Sequence, residues 1–300
     1  TRVSRKSRTY RVFLDDPEIM VKMLRPQEIP NLVSDGLYDV GITGKDWINE
    51  TKSDVEPLID LEYGKIKLVI AIPDTLRFKN FDQMIGEYAK KKKILRLSSE
   101  YLTNASKFIK SCKSYKKAFG NKDPMIITPW MRVGTNKNVQ IHLSFGATEA
   151  KPPEDVDAIM DVTETGTTLK QNGLKIIDTV MKSSAHLIAN KQSLKDKNKR
   201  EKIFDIVTLM SGAVEGKKYL HLYLNIKENN LKKLLKELPS LKRPTVSPLS
   251  EKGWMGVNTV ILKTDFHKLI PKLRKIAQGI VVHETRQILQ LEEIKRDEEN

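Results

Sequence analysis

The feature that most constrains the fold is the alternation of short β-rich runs with helical runs through the first two-thirds of the chain. The run at 156–162 (VDAIMDV) is apolar and bounded by turn-forming residues, which is typical of a buried parallel strand. Strands that alternate with helices predict α/β domains with parallel sheets. On this pattern we expect strands at 18–24, 38–43, 55–61, 65–73, 94–99 and 156–162, and helices at 26–36, 45–50, 103–119 and 167–183.

The last third of the chain has a different order of elements. The periodicity predicts strands at 217–226, 244–249, 254–262 and 279–284, and helices at 229–240 and 265–277. Asp265 is expected to be the N-cap of the second helix. The resulting order, βαββαβ, is typical of a ferredoxin-like unit. The two glycines of SGAVEG (211–216) place the predicted boundary between the two regions.

Charge and composition narrow the function classes. The 300 residues include 53 Lys plus Arg against 38 Asp plus Glu, a formal net charge of +15 that suits a binder of polyanions. Only 6% of residues are aromatic, and no aromatic residues interleave with basic ones, which argues against a nucleic-acid partner. No apolar run approaches the ~20 residues of a membrane helix. The single Cys112 excludes a disulfide framework and fits a reducing, cytoplasmic compartment.

The strongest local signal is the stretch DVTETGTTLKQNG at 161–173, where a predicted buried strand leads directly into a predicted helix. Backbone N–H groups and threonine hydroxyls there can form an anion site at a helix start. Asp161 and Glu164 beside it could accept hydrogen bonds from vicinal ribose hydroxyls, so the stretch suits a ribose 5-phosphate. An ordinary strand-to-helix turn with a threonine N-cap remains the alternative. The predicted phosphate contacts are Glu164, Thr165, Gly166, Thr167 and Thr168.

Two further strand-to-helix junctions carry candidate donors. They are GITG at 41–44, with Thr43 and Gly44, and SEYLTN at 99–104, with Glu100, Tyr101 and Thr103. Open α/β sheets bind ligands at the carboxyl ends of their strands, so these junctions could converge on one crevice. The chain has no G-x-x-x-x-G-K-[ST] or G-x-G-x-x-G loop, and its five histidines show no metal-ligand spacing.

Five colinear stretches resemble the ATP phosphoribosyltransferases, the first enzymes of histidine biosynthesis. DAIMDVTETGTTLKQNGL resembles their phosphoribosyl-pyrophosphate loop, and LKRPTVSPLSEKGWMGVNTV resembles the histidine-binding regulatory domain of the long form of the family. The other three stretches are LRPQEIPNLVSDGLYDVGITGKDWI, GATEAKPPEDVDAI and SSAHLIANK. The resemblance implies two α/β lobes like those of periplasmic binding proteins, followed by a ferredoxin-like domain. The corresponding ranges are 1–75 with 179–212 for lobe one, 76–178 for lobe two and 213–300 for the regulatory domain.

The resemblance also implies an activity. ATP and phosphoribosyl pyrophosphate would give N1-(5-phosphoribosyl)-ATP and pyrophosphate, with Mg²⁺ as cofactor, unknown metal ligands and feedback inhibition by histidine. It implies dimers that assemble to hexamers. We expect Asp161 and Glu164 to be catalytic, with Glu149 as a further contact on the same cleft. The expected histidine contacts are Asn225, Thr245 and Ser247.

Some alternatives remain open at this point. The same fold could serve a binding or sensor protein without turnover, and a basic chain could also be a nucleic-acid binder. The last domain could serve oligomerisation alone. The family opens with a strand and a basic, glycine-containing segment that this sequence lacks, so we expect an N-terminal truncation. Residues 113–140 are longer than the usual connection of the family, and the sequence assigns them no role.

Overall fold

The computed structural model describes residues 10–238 and 244–289 of the chain. The chain divides into two compact units, residues 1–199 and 200–300. Among the described residues, no helix combines the length and the apolar character that crossing a lipid bilayer demands.

The first unit contains the α/β region. Its strands are β1 (Arg11–Phe13), β2 (Met20–Lys22), β3 (Val40–Gly44), β4 (Val55–Asp60), β5 (Ile66–Pro73), β6 (Leu95–Ser99), β7 (Pro124–Ile127), β8 (Arg132–Val133), β9 (Asn136–Leu143), β10 (Ala158–Thr163), β11 (Leu174–Ser183) and β12 (Ala185–Asn190). Its helices are α1 (Ile29–Ser34), α2 (Lys45–Thr51), α3 (Phe81–Lys90), α4 (Leu102–Ser111), α5 (Lys113–Phe119) and α6 (Thr167–Gln171), and α7 (Lys197–Gly216) begins at its end.

Two main sheets organise this unit. A seven-stranded sheet has the order β11-β5-β10-β6-β9-β7-β8, and a three-stranded sheet has the order β3-β12-β4. In the larger sheet β10, β6, β9 and β7 are parallel, while β5 runs antiparallel to β10 and β11. The fold class is therefore confirmed as α/β, but the sheet is mixed because β5 enters between β11 and β10 in the opposite direction. The predicted lobe limits stay a prediction.

The main core lies on one face of the seven-stranded sheet. Strand residues such as Leu68, Leu97 and Ile141 pack there against α3, α4 and α5, which contribute Phe81 and Ile109. These side chains are fully shielded from solvent. Their burial fixes which face of β6 and β9 points away from the core, since side chains alternate along a strand.

Two helix predictions in this unit are wrong. The expected helix at 167–183 is a short α6 followed by the strand β11, because Gly173 takes a φ of 67° and the β-branched run after it pairs with β5. The expected helix at 103–119 is two helices, α4 and α5, separated by Cys112 with extended backbone angles.

The second unit has the predicted ferredoxin-like order. After α7 come β13 (Tyr219–Lys227), α8 (Leu231–Glu237), β14 (Thr245–Pro248), β15 (Trp254–Leu262), α9 (Lys263–Leu273) and β16 (Ala277–Glu284). The antiparallel sheet order is β14-β15-β13-β16. Asp265 lies in the first turn of α9 and Leu262 is its N-cap, so the Asp265 prediction is wrong: the helix starts directly after β15. The predicted helix residues 239 and 240 lie outside the described residues.

The glycines that marked the predicted boundary lie inside α7. A Cβ at Gly212 would meet the Leu289 side chain at 2.3 Å, and one at Gly216 would meet the Arg286 backbone at 2.9 Å. The small residues here permit a close approach of the chain after β16 rather than a break in the helix.

Candidate functional site

The turn between β10 and α6 carries the densest set of predicted site residues. β10 ends at Thr163, and α6 begins at Thr167 with Gly166 as its N-cap residue. The Gly166 N–H donates to the Thr163 Oγ1 at 2.8 Å, and the hydroxyls of Thr165 and Thr167 lie 2.9 Å apart. The Thr167 N–H also has a local acceptor, the Thr165 Oγ1 at 3.4 Å, so the turn can offer an anion its exposed threonine hydroxyls and the remaining N–H groups of the first turn.

A residue with a side chain would be strained at position 166. The φ of Gly166, 84°, lies in the left-handed region, and a Cβ would lie 3.3 Å from the Ile176 Cδ1. The N-cap of α6 is Gly166 and no side chain caps the helix, so the predicted threonine N-cap is wrong, whereas the phosphate role of the turn stays a prediction. The predicted phosphate contacts other than the half-buried Gly166 are exposed: Glu164, Thr165, Thr167 and Thr168.

Three predicted carboxylates lie close enough to influence one another electrostatically. Burial raises the pKa of Asp161, and the charges of Glu149 and Glu100 raise it further, against hydrogen bonds from the Val162 N–H and Thr148. The Val162 N–H donates to the Asp161 Oδ1 at 2.7 Å. The structure therefore brings Asp161, Glu149 and Glu100 to one region at the carboxyl edge of the parallel strands. Among residues 10–238 and 244–289, no three His, Cys, Asp or Glu side chains are grouped to hold a metal by themselves.

A cavity of about 400 Å³ adjoins the turn and has Glu164 in its wall. Its basic lining residues are Lys45, Lys65, Lys67, Lys182 and His186, and the remaining ones are Asp60, Ile66, Ser183 and Ser184. None of these lysines forms an ion pair with a carboxylate in the described part of the chain. Lys67 and Lys182 lie directly opposite each other on β5 and β11, an arrangement that is unfavourable for like charges unless an anion lies between them.

The lysines of this cavity are functional candidates that the sequence prediction missed. Lys65 and Lys67 sit two residues apart at the start of a strand, which places them on one face, and Lys45 directly follows Gly44, the last residue of β3. That spacing was a usable signal. The contribution of Lys182 was not visible in the sequence, because residues 167–183 were predicted as a helix.

The donors of the other two junctions are already engaged by the protein. The Glu50 carboxylate accepts hydrogen bonds from the N–H groups of Thr103 at 2.7 Å and Asn104 at 2.9 Å, at the start of α4. The Thr43 hydroxyl is buried and donates to the Pro26 carbonyl at 2.8 Å. Glu50 therefore occupies the place that an anionic ligand would take at the start of α4.

The buried side chain of Asp46 links these two junctions by hydrogen bonds. It is 4% exposed, and its carboxylate accepts from the Tyr101 hydroxyl at 2.7 Å and the Ser183 hydroxyl at 2.5 Å. The Trp47 ring stacks on Tyr101 with centroids 4.4 Å apart. A Cβ at Gly44 would meet the Asp46 Oδ1 at 2.1 Å, so glycine leaves room for this carboxylate.

The role of α2 was also missed by the sequence prediction. Asp46 and Glu50 are four residues apart on α2, which places both carboxylates on one face of the helix. That spacing could have indicated a polar helix-helix contact. The junctions do converge, but through contacts between their own side chains.

In the second unit, the predicted effector contacts lie on the sheet face opposite the helices. Asn225 of β13 pairs with Gly256 of β15, which pairs in turn with Ser247 of β14. The flanking residues of Asn225 belong to the core, so its side chain points to the other face. The Asn225 Oδ1 is buried and has no hydrogen-bond partner among the described residues, while Thr245 and Ser247 are exposed.

Comparison with protein families matches almost the whole chain. The sequence model described as ATP phosphoribosyltransferase matches residues 25–212. The model described as HisG, C-terminal domain, matches residues 216–287. The first match ends inside α7, and the second covers the ferredoxin-like sheet.

Individual relatives agree with the family matches. A protein of Solibacter usitatus named ATP phosphoribosyltransferase is 37% identical over 293 residues, which cover 96% of this chain and 91% of the relative. One of Chlorobium chlorochromatii with the same name is 34% identical over 281 residues, or 92% and 85% of the two chains. A solved structure, the ATP phosphoribosyl transferase (HisG:HisZ) complex from Thermotoga maritima, aligns with a TM-score of 0.50 at 22% identity. It covers 69% of this chain and 84% of that chain, and it supports the fold.

Proposed function

The chain belongs to the ATP phosphoribosyltransferase family of histidine biosynthesis, and from that premise we propose how its own residues carry out the reaction. The enzyme is a pentosyltransferase that joins ATP to phosphoribosyl pyrophosphate and releases pyrophosphate. The 5-phosphate of the sugar binds at residues 164–168, where exposed threonine hydroxyls and the N–H groups that follow Thr167 can donate to it. The pyrophosphate binds in the lysine-lined cavity. The observation that supports this division is the position of Glu164, which belongs to the turn and also lines the cavity.

The carboxylates act on the ribose between these two anion sites. Asp161 and Glu164 accept hydrogen bonds from the ribose hydroxyls and face the positive charge that develops at C1 as pyrophosphate leaves. Adenine N1 is the nucleophile and needs no general base. The protein therefore accelerates the reaction by positioning the substrates and by electrostatic stabilisation.

A divalent metal, which we propose is Mg²⁺, suits this site. Mg²⁺ commonly binds through one or two carboxylates together with substrate phosphates, so the absence of a three-ligand cluster among the described residues agrees with such a mode. Asp161 together with Glu149 or Glu100 would provide one or two oxygen ligands of this kind, because these carboxylates lie near one another at one edge of the sheet. When bound, the metal would neutralise charge on the leaving pyrophosphate.

The test of this function uses the lysine pair of the cavity. We expect the full chain to release pyrophosphate only when both ATP and phosphoribosyl pyrophosphate are present. In Lys67→Gln with Lys182→Gln, the KM for phosphoribosyl pyrophosphate should rise about tenfold or more, the scale of a lost charge-assisted hydrogen bond. Lys90→Gln, which removes an exposed ion pair with Glu87, is the matched control. Absence of pyrophosphate release would refute the activity, and an unchanged KM would remove the cavity from the site.

We further propose that the second unit binds histidine and inhibits the enzyme, as the family resemblance implies. The buried, unpartnered Asn225 Oδ1 would accept a hydrogen bond from the ligand ammonium, with Thr245 and Ser247 on the neighbouring strand. Inhibition requires that histidine bind one arrangement of the protein better than another, with a typical coupling of ~1–3 kcal/mol. We also propose that the chain assembles into homo-oligomers, from dimers to hexamers, and that it is located in the cytoplasm.

The matched control for the histidine site is Thr259, whose Oγ1 is also buried and unpartnered but lies on the core face. Asn225→Ala should raise the histidine concentration for half inhibition at least tenfold, and Thr259→Val should leave it unchanged. Turnover without histidine should be the same in both variants. A full-length enzyme indifferent to millimolar histidine would leave the second unit with a role in assembly alone.

A further inference from the structure

Two histidines lie side by side on one face of the sheet in the second unit. His221 of β13 and His283 of β16 are direct cross-strand partners, and their ring centroids lie 6.1 Å apart with an interplanar angle of 29°. Leu220 and Leu222, which flank His221, belong to the core that α8 and α9 cover, so both histidines project from the opposite face. We call these two side chains the histidine pair.

Neither ring of the histidine pair has a carboxylate as its partner. Among residues 10–238 and 244–289, no ion pair includes either ring, and the exposed His283 has no hydrogen-bond partner for its ring nitrogens. Two protonated imidazoles directly opposite each other would repel. A cation that accepts a lone pair from each neutral ring holds them together instead, so the arrangement suits a bound metal ion.

The amide of Asn258 on β15 orients the first of these rings. The Asn258 Oδ1 lies within hydrogen-bond distance of the His221 Nε2. An amide oxygen can only accept, so Nε2 carries the proton and the lone pair of the neutral ring is on Nδ1. Histidines that bind a metal usually donate their other ring N–H to an oxygen in this way. His221 therefore already has the supporting contact of a metal ligand.

The spacing of the two rings suits a single ion. An imidazole nitrogen binds Zn²⁺ at about 2.0–2.1 Å, which places the centroids of two rings on one ion about 5–6 Å apart. Direct cross-strand partners have Cβ atoms ~4.5–5.5 Å apart, so each side chain can direct one nitrogen at a shared ion. From the observed 6.1 Å, rotation of the side chains is sufficient to reach this arrangement.

The donor atoms select the class of metal. Imidazole suits Zn²⁺, Cu²⁺ and Ni²⁺, whereas Mg²⁺ and Ca²⁺ prefer oxygen ligands. In the part of the chain that the structure describes, no third His, Cys, Asp or Glu is grouped with the histidine pair. Water therefore supplies the remaining ligands, and the site differs in chemistry from the carboxylates of the first unit.

We propose that the histidine pair binds one divalent transition-metal ion, represented by Zn²⁺, with His221 oriented by Asn258. β16 is an edge strand that pairs with β13 alone in this sheet. A metal that takes one ligand from each strand links the edge strand to its neighbour. Because the unfolded chain does not hold the two rings together, the metal stabilises the folded second unit by mass action.

Titration calorimetry of the untagged full chain with zinc chloride tests the site. Excess Mg²⁺ is present, since it occupies oxygen-ligand sites without competing for imidazole. We expect one Zn²⁺ per chain. Loss of a supporting contact alone typically costs about 10–100-fold in metal affinity, so His221→Gln and His283→Gln should each cost about 100-fold or more. His267→Gln, which changes an exposed histidine of α9, is the matched control and should leave the affinity unchanged.

Variants of Asn258 test the orienting contact. Asn258→Ala should weaken Zn²⁺ binding about 10–100-fold, whereas Asn258→Asp, which keeps an oxygen acceptor, should retain at least the wild-type affinity. Hydrogen exchange measured on the same proteins shows whether the metal links the strands. Zn²⁺ should slow exchange of the β16 amides in the wild type and in His267→Gln, and should not slow it in His221→Gln or His283→Gln.

Two results would overturn the proposal. One is a wild-type chain that binds no Zn²⁺ in the presence of excess Mg²⁺. The other is wild-type Zn²⁺ affinity in both His221→Gln and His283→Gln, which would place the metal elsewhere. Exchange rates without metal show whether each variant keeps the folded sheet. None of these measurements uses the enzymatic reaction, so the proposed function and this site stand or fall separately.

Discussion

Two strand-to-helix junctions in this protein have similar polar sequences and opposite surroundings. At residues 163–168, which we term the open junction, the hydroxyls face solvent beside a cavity. At residues 99–104, the closed junction, Tyr101 is 4% exposed and Glu50 accepts the N–H groups of Thr103 and Asn104. The same donor types are therefore exposed in one place and engaged by the fold in the other. The difference is whether a carboxylate of the chain accepts hydrogen bonds from these donors, as Glu50 does at the closed junction.

The largest effect on the free energy of unfolding is expected at the closed junction. Asp46→Ala would leave the buried hydroxyls of Tyr101 and Ser183 without their acceptor, at a cost of about 2–5 kcal/mol in the free energy of unfolding. Denaturant unfolding measures it. The control is Asp54→Ala, which breaks an exposed ion pair with Lys191 and should cost under ~1 kcal/mol. Equal costs for the two variants would remove the distinction between a closed junction and an ordinary surface contact.

At the open junction the effect should fall on ligand affinity more than on stability. Gly166→Ala places a Cβ at a φ of 84° and should weaken phosphoribosyl pyrophosphate binding by ~1–3 kcal/mol, with a stability cost of about 1 kcal/mol. Gly253→Ala, at a φ of 83° with no atom within 4 Å of the added Cβ, is the control for left-handed φ strain in the second unit. Calorimetry should show weaker binding in the first variant alone. Identical affinities would mean that this turn does not hold the sugar phosphate.

Glu50 gives the closed junction a pH dependence. Burial raises the pKa of Glu50 above its ordinary 4.5, against the opposing hydrogen bonds from Asn104 and Thr103. The folded state thus holds this proton more tightly than the unfolded chain, so the stabilisation is full below about pH 4.5 and is lost as pH rises through the folded pKa.

Glu50→Gln removes that titration and can accept only one of the two N–H groups. We expect it to lower the free energy of unfolding by about 1 kcal/mol in acid, with the difference from wild type narrowing as pH rises towards 7. Denaturant titrations at several pH values measure the trend. A difference that widens with pH would show that the ionised carboxylate, not the protonated one, stabilises the junction.

The smallest effect on stability is expected for the exposed Glu164. Glu164→Gln should change the free energy of unfolding by less than ~1 kcal/mol, the scale of a charge near a helix start. If its charge faces developing positive charge at the sugar, kcat should fall more than the KM for phosphoribosyl pyrophosphate rises. Steady-state kinetics decide this, with Glu87→Gln on α3 as the control. A wild-type kcat with a slightly lower melting temperature would leave Glu164 a purely structural role.

Sequence patterning alone was sufficient for the elements whose periodicity is strong. The buried run before Asp161, the βαββαβ order of the last third and the loop at 164–168 all follow from local composition, because burial and turn chemistry act over a few residues. The same reasoning failed at residues 174–183, because the apolar pattern of this segment is compatible with a helix and with a strand. Its pairing with β5 makes it a strand.

Only the tertiary structure decided which residues meet. Glu50 reaches the start of α4 from α2, Lys67 faces Lys182 across two strands, and the Lys151 ammonium donates to the Ser98 hydroxyl. These pairs are separated by about 50 residues or more, so no local spacing marks them. The sequence determined that polar and basic groups follow particular strands. Sheet order and the direction of side chains determined which of those groups have partners within the protein and which stay exposed.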